Sequence, residues 1–192
     1  MSDAQPGRAP IPSQQMRGLG VVQSGDALLR RPARGFELPR EAAAANRLVG
    51  RLLTSTDQIA QVHVFGKGMG LSAPQLGVDR AAAVVRPPDA PNPITLLNPE
   101  VVDQSAELDE QYEGCLSFFD VRGLVPRPRW LEIGHQSSSG RRLVTRFELA
   151  LARLVAHEVD HLHGVLYTDR MRPGVTPIGV DEYRGTGSAW RY

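Results

Sequence analysis

The stretch 154-LVAHEVDHLHG-164 decides how this chain is read. It places His157 and His161 four residues apart, with Glu158 directly after the first. In a helix turning about 100° per residue, the two histidines stand about 40° apart, one turn from each other on one face. Both imidazoles can then reach one cation. Glu158 lies beside them, able to touch a water without binding the metal. Two ligands and one general base are the parts of metal-assisted hydrolysis. The plainer reading is a pair of core histidines, but a buried pair still needs partners for its polar atoms.

Working outward, "RFELALARLVAHEVDHLH" (146–163) contains neither proline nor glycine and is largely apolar, which predicts a buried helix. Thr145 and Glu148 have the spacing of a capping box at its start. Gly164 suits its C-terminal stop. A second helix is expected within 38–60, where Leu48 and Leu52, and Val49 and Leu53, repeat at four-residue spacing. "RAAAVVR" (80–86), "ITLLNPEVV" (94–102), "QYEGCLSF" (111–118), "WLEIGHQ" (130–136) and "RRLVTRF" (141–147) read as short strands, with "QSSSGRR" (136–142) the turn joining the last two. "GKGMGLSAPQLG" (66–77) reads as a loop by its glycines and Pro74. The expected class is α+β, with small antiparallel or mixed sheets around a buried central helix that carries the HExxH motif.

The chain has 192 residues, which fits one domain. Residues 1–15 are polar with three prolines, and are expected to be a disordered extension. Met16 follows directly and is an alternative start. Residues 16–192 are expected to form one catalytic domain, with a surface tail from about 173. A net charge of +1 gives no argument for nucleic acid or an acidic membrane. No apolar run approaches the ~20 residues of a membrane span. A single cysteine excludes an internal disulfide and points to a reducing bacterial cytoplasm.

A catalytic site needs a third protein ligand and an open fourth position. His163 falls about 200° around the helix from His161. Asp169 and Glu182 have no supporting pattern, and His63 and His135 sit in ordinary strand or loop contexts. Cys115, in "EGCLS" (113–117), remains as the candidate, although a lone buried cysteine is also a common small hydrophobe.

Three separated segments resemble peptide deformylase. "GMGLSAPQLG" carries Gly68, Gly70, Leu71, Ala73 and Gln75; "EGCLS" spans Glu113 to Ser117; "HEVDHLHG" carries His157, Glu158, Asp160, His161, Leu162 and Gly164. Their order and spacing match the family. Flanking "LLNPEV", "VRGLVPRP" and "LYTDRM" agree, so the resemblance runs from about Met16 to Arg172. It implies that Cys115, His157 and His161 hold one divalent metal ion with water in the fourth position. The implied activity is removal of formyl from the initiator methionine of N-formyl-methionyl nascent peptides. Transient ribosome contact is compatible with that substrate. The anionic thiolate suits Fe²⁺, for which Zn²⁺, Ni²⁺ or Co²⁺ can substitute.

The same resemblance gives Glu158 the proton transfers. It gives the Gln75 amide and the Leu116 backbone N–H the stabilisation of the developing oxyanion. Gly70 would let backbone approach the metal and narrow the formyl pocket. Leu154 and Ala150, three and seven residues before His157, are candidates for the wall of a methionine slot, with Leu71 opposite. Asp160 needs a cation if buried, and Arg127 is the expected partner.

The chain departs from the family at "FFD" (118–120), where a proline is common two residues after the EGCLS motif. Ser72 replaces a common alanine, an expectedly neutral change, and Ala156 a usual glutamine. The altered loop motivates an alternative, a related deformylase or amidase acting on a specialised formamide metabolite or peptide. An HExxH endopeptidase would not need Cys115. A closed structural site would need a fourth protein ligand and leave Glu158 without a purpose.

Overall fold

The computed structural model describes residues 11–88 and 90–185. Its helices are α1 (Pro12–Gly18), α2 (Ala42–Val62), α3 (Leu149–Leu162) and α4 (Val180–Gly185). Its strands are β1 (Met69–Ser72), β2 (Ala82–Arg86), β3 (Ile94–Gln104), β4 (Leu108–Glu113), β5 (Val121–Pro128), β6 (Trp130–Gln136), β7 (Arg142–Glu148) and β8 (Ile178–Gly179). One sheet has the order β1-β2-β3-β6-β7 and the other β4-β5-β8. Every pairing among the described residues is antiparallel. The class is α+β, as the sequence predicts.

The five-stranded sheet is covered on both faces. On one side α2 buries Ala45, Leu48, Leu52 and Ile59 against Leu71 and Val84. On the other α3 buries Ala152, Val155, Ala156 and Val159 against Val85, Leu96, Leu131, Ile133 and Phe147. Adjacent Val84 and Val85 therefore serve opposite cores, as strand alternation requires. This explains why β2 reads as an uninterrupted apolar run rather than an alternating one.

The helix carrying the motif begins later than expected. Thr145 and Glu148 lie in β7 and form no capping box. Thr145 Oγ1 instead meets His135 Nε2 on β6 at 2.9 Å, and Glu148 pairs with Arg146. Leu149 turns the strand directly into the helix at φ 52°, its N–H donating to the Arg129 carbonyl at 2.7 Å. A lost cap costs about 1 kcal/mol, whereas each buried leucine or valine contributes about 1.5–3 kcal/mol. Packing therefore sets the start of α3. Its end is as predicted: Gly164 takes φ 73°, and the Val165 N–H returns to the Asp160 carbonyl at 3.0 Å.

Other boundaries also move. "MGLS" (69–72) forms β1 rather than a loop, followed by a 3-10 turn over Ala73–Leu76. β4 ends at Glu113, so Cys115 lies just beyond the strand, before a 3-10 turn at Leu116–Phe118. β5 has no counterpart in the sequence reading, because Pro126 and Pro128 argue against a strand. It is tolerated because β8 pairs only with Val121 and Arg122, leaving the proline-bearing end unpaired on one edge among the described residues.

The expectation of disorder over 1–15 does not hold for Pro12–Gln15, which belong to α1. Met16 is fully buried in one core with Leu116 and Phe119. Asp120 accepts from the Ser13 backbone N–H at 2.9 Å and from its hydroxyl. Residues 1–10 and 186–192 lie outside the described residues. The surface tail expected from 173 holds β8 and α4, and returns to the β5 edge.

Candidate active site

Three side chains from two elements converge. Cys115 projects from the turn after β4, and His157 and His161 from successive turns of α3. Their ligand atoms all lie within 4.8 Å of one another, and all three residues are buried. Cys115 Sγ lies 3.2 Å from His161 Nε2. The two imidazole centroids are 5.0 Å apart. His63, His135, His163, Asp169 and Glu182 take no part in this cluster. His163 Nδ1 faces the Val159 carbonyl, and Asp169 pairs with Arg30.

The donor set fits a divalent cation. A thiol and two imidazoles are soft to borderline ligands, and they meet away from bulk water. Glu113 Oε2 occupies His157 Nδ1 at 3.0 Å, fixing the ring so that its other nitrogen is left as the ligand. Burial alone would lower the His157 pKa, but bonds and charges from Cys115 and Glu113 outweigh it and hold it well above the usual value. His161 is pushed well below by burial, aided by the charges of His157 and Arg127.

Glu158 is buried on the same helix, and its Oε2 has no partner among the described residues. Burial drives its carboxyl up to about 7, against the pull of the His157 charge. Opposite it stands Gly70 on β1. A Cβ there would fall 2.5 Å from Glu158 Cγ, so only glycine lets the strand pass this close.

Gln75 reaches the site with a fixed orientation. Its Oε1 accepts from the Ser72 backbone N–H at 3.0 Å, so its Nε2 must face the other way. That Nε2 lies 3.5 Å from Cys115 Sγ and 3.3 Å from Ser117 Oγ. The Ser72 hydroxyl adds a second bond to Oε1 at 3.1 Å, so this departure from the family sequence contributes to holding the amide. Leu116 opens the 3-10 turn, and the first N–H of such a turn has no partner within it.

Behind the cluster lies a buried ionic network. Arg127 makes two bonds to Glu113, at 2.9 and 3.0 Å, and one to Asp160 at 2.5 Å. The Arg127–Asp160 pair is thus present, and Arg170 adds a 2.6 Å contact to Asp160. Arg153 was not singled out in the sequence, yet it donates to Glu113 at 2.7 Å from deep within α3. Glu113 itself was visible only as part of "EGCLS". A carboxylate two residues before a ligating cysteine, at the end of a strand, was the available signal.

A cavity of about 350 Å³ opens onto the cluster. Gly70 and Leu154 line it, but Leu71 and Ala150 do not. Leu71 follows Gly70 on β1, so alternation turns it into the core beneath α2. Ala150 is seven residues from His157, about 10 Å along the helix axis. Phe65, Phe119, Tyr112 and Tyr183 supply apolar lining instead, while the Met69 side chain shares the Leu71 side of β1 and packs into the same core. The "FFD" segment divides its work: Phe118 stacks on Tyr167 at 4.7 Å, Phe119 lines the cavity, and Asp120 anchors α1.

Comparison with known proteins bears on this geometry. The family model described as polypeptide deformylase matches residues 19–176. Peptide deformylase 2 of Clostridium perfringens is 39% identical over 152 residues, covering 79% of this chain and 92% of that protein. Peptide deformylase 2 of Nostoc sp. is 31% identical over 174 residues, covering 86% and 93%. A Met-Ala-Ser-bound class I type b peptide deformylase from Acinetobacter baumannii superposes with a TM-score of 0.69 at 30% identity, covering 79% of this chain and 96% of that one.

Proposed function

Because this chain belongs to the polypeptide deformylase family, enzymes that remove the N-formyl group from nascent peptides, we propose that Cys115, His157 and His161 hold its metal and that Glu158, Gln75 and Leu116 carry the chemistry. The observation that carries this reading is the meeting of a thiol and two imidazoles, all buried, beside a buried carboxylate whose Oε2 has no partner among the described residues. We assign Fe²⁺ to the site, since a thiolate and two imidazoles, freed of their protons as the ion binds, suit it. A bound divalent cation supplies Lewis-acid polarisation and makes a water acidic enough to react near neutral pH.

The residues then divide the reaction. Ionised Glu158 takes a proton from the attacking water and returns it to the departing amine. The Gln75 Nε2 and the Leu116 N–H donate to the formyl oxygen as it gains charge. Gln75 is suited to this because Ser72 fixes its oxygen, so little reorganisation is needed at the moment of reaction. Gly70 keeps the space beside Glu158 narrow, which suits an acyl group whose only substituent is hydrogen. Leu154 is assigned to the methionine side chain. Asp160 and Arg127 hold the cysteine segment against α3. The substrate is made on the ribosome in the cytoplasm, so action there, with transient ribosome contact, belongs to the same proposal.

Gln75→Ala tests the oxyanion assignment. The expected loss is about 10²–10³-fold in kcat with KM nearly unchanged. Equal losses in both parameters would point to a collapsed site instead. The function itself is tested with formyl-Met-Ala-Ser and acetyl-Met-Ala-Ser. Formate release from the first, with the acetyl peptide and internal bonds left intact, is the expected result. Cleavage of internal bonds, or release only from small formamides, would overturn it.

A further inference from the structure

We propose that Tyr183, together with Tyr112, is a specificity-determining residue that favours peptides with an aromatic side chain just after the formyl-methionine. This rests on the deformylase reading above. Tyr183 belongs to α4, beyond the residues 19–176 that match the family model. The fold nevertheless returns it to the active-site cavity. β8 pairs with β5 at Val121↔Gly179 and Arg122↔Ile178, and the Val180 N–H donates to the Asp120 carbonyl at 2.9 Å. These contacts fasten the segment to the loop that follows Cys115.

The ring of Tyr183 then meets that of Tyr112 on β4, with centroids 5.3 Å apart and planes inclined at 58°. Both residues line the cavity. Both are half-buried, whereas Cys115, His157 and Glu158 are buried, so the tyrosines border its solvent-facing end. A side chain there meets aromatic faces. Aromatic pairs at such separations attract beyond their simple area burial. Arg122 also lines the cavity; its Nη1 donates to the Phe119 and Val121 carbonyls, both at 2.8 Å, and its guanidinium packs over the Phe119 ring, which holds it in place beside the tyrosines. What the two tyrosines offer a side chain there is aromatic packing.

The test compares formyl-Met-Ala-Ser, formyl-Met-Phe-Ser and formyl-Met-Ala-Phe with the full-length, metal-loaded enzyme and its Tyr183→Ala and Tyr183→Phe variants. Wild type is expected to show a KM about fivefold lower for formyl-Met-Phe-Ser than for formyl-Met-Ala-Ser, with formyl-Met-Ala-Phe close to the latter. Tyr183→Ala should erase that difference with little change in kcat, and Tyr183→Phe should retain it. A wild type without the preference, or a Tyr183→Ala variant that keeps it or loses kcat equally on all three peptides, would overturn the proposal. The last pattern would make the tyrosine pair a tail anchor only. No formate from any peptide with wild type would instead sink the parent reading, and this inference with it.

Discussion

Glu158→Gln lowers kcat for formyl-Met-Ala-Ser by about 10²–10⁴-fold while the protein still binds one metal ion. That is the range expected for a positioned acid–base group. Glutamine keeps the shape that fits beneath Gly70, so packing is preserved and only proton transfer is removed. The environment explains why this carboxylate suits the task. Without the ion, burial raises it to about 7, against an ordinary value of 4.5, and a cation held beside it would favour the ionised form that accepts a proton. Steady-state rates with metal content measured on the same sample check the prediction. A variant within tenfold of wild type would remove Glu158 from the mechanism.

The second large effect falls on stability. Arg127→Leu is expected to lower unfolding free energy by about 3 kcal/mol, because it strips a buried cation from two buried carboxylates. Glu113 and Asp160 retain Arg153 and Arg170 as partners, which keeps the loss at the lower end of the range for a broken buried pair. Arg127→Lys should lose less, since it restores the charge but not the two-pronged contact with Glu113. Urea midpoints for the three proteins measure this, and an unchanged midpoint for Arg127→Leu would contradict it. The network also sets a pH dependence. Burial would raise the Glu113 pKa, but Arg127 and His157 outweigh it and hold the carboxyl well below the usual range. Its stabilising contribution is therefore present above the ordinary carboxylate pKa and is lost as pH falls towards the lower folded value.

Much of this was legible in the sequence, and for identifiable reasons. Helical spacing alone places His157, Glu158 and His161 together, because the period of a helix is fixed. The apolar runs of β2, β3 and β6 were readable because burial on a sheet face leaves a compositional mark. What escaped depended on tertiary context. The Thr145–Glu148 spacing fits a cap, but pairing of β7 with β6 claims those residues for a strand. β5 was hidden by its prolines, which a partly unpaired edge accommodates. Ala150 shares a helix face with His157 and Leu71 adjoins Gly70, which suggests a place in the pocket wall, but the parity of a strand and the length of a helix remove them. Arg153 and Tyr183 carry no local signal, since each acquires its place only when distant segments meet. The converse holds for Asp120: an unusual residue in "FFD" becomes intelligible once Ser13 is seen against it.

The measurement that tests the account most directly is an anaerobic titration of metal-free protein with Fe²⁺, following formate release from formyl-Met-Ala-Ser. Activity should rise from near zero and saturate at one equivalent, and Cys115→Ala should neither retain the ion nor release formate at a comparable rate. Release that ignores added metal, or full activity in the Cys115→Ala variant, would contradict a Cys115–His157–His161 metal centre.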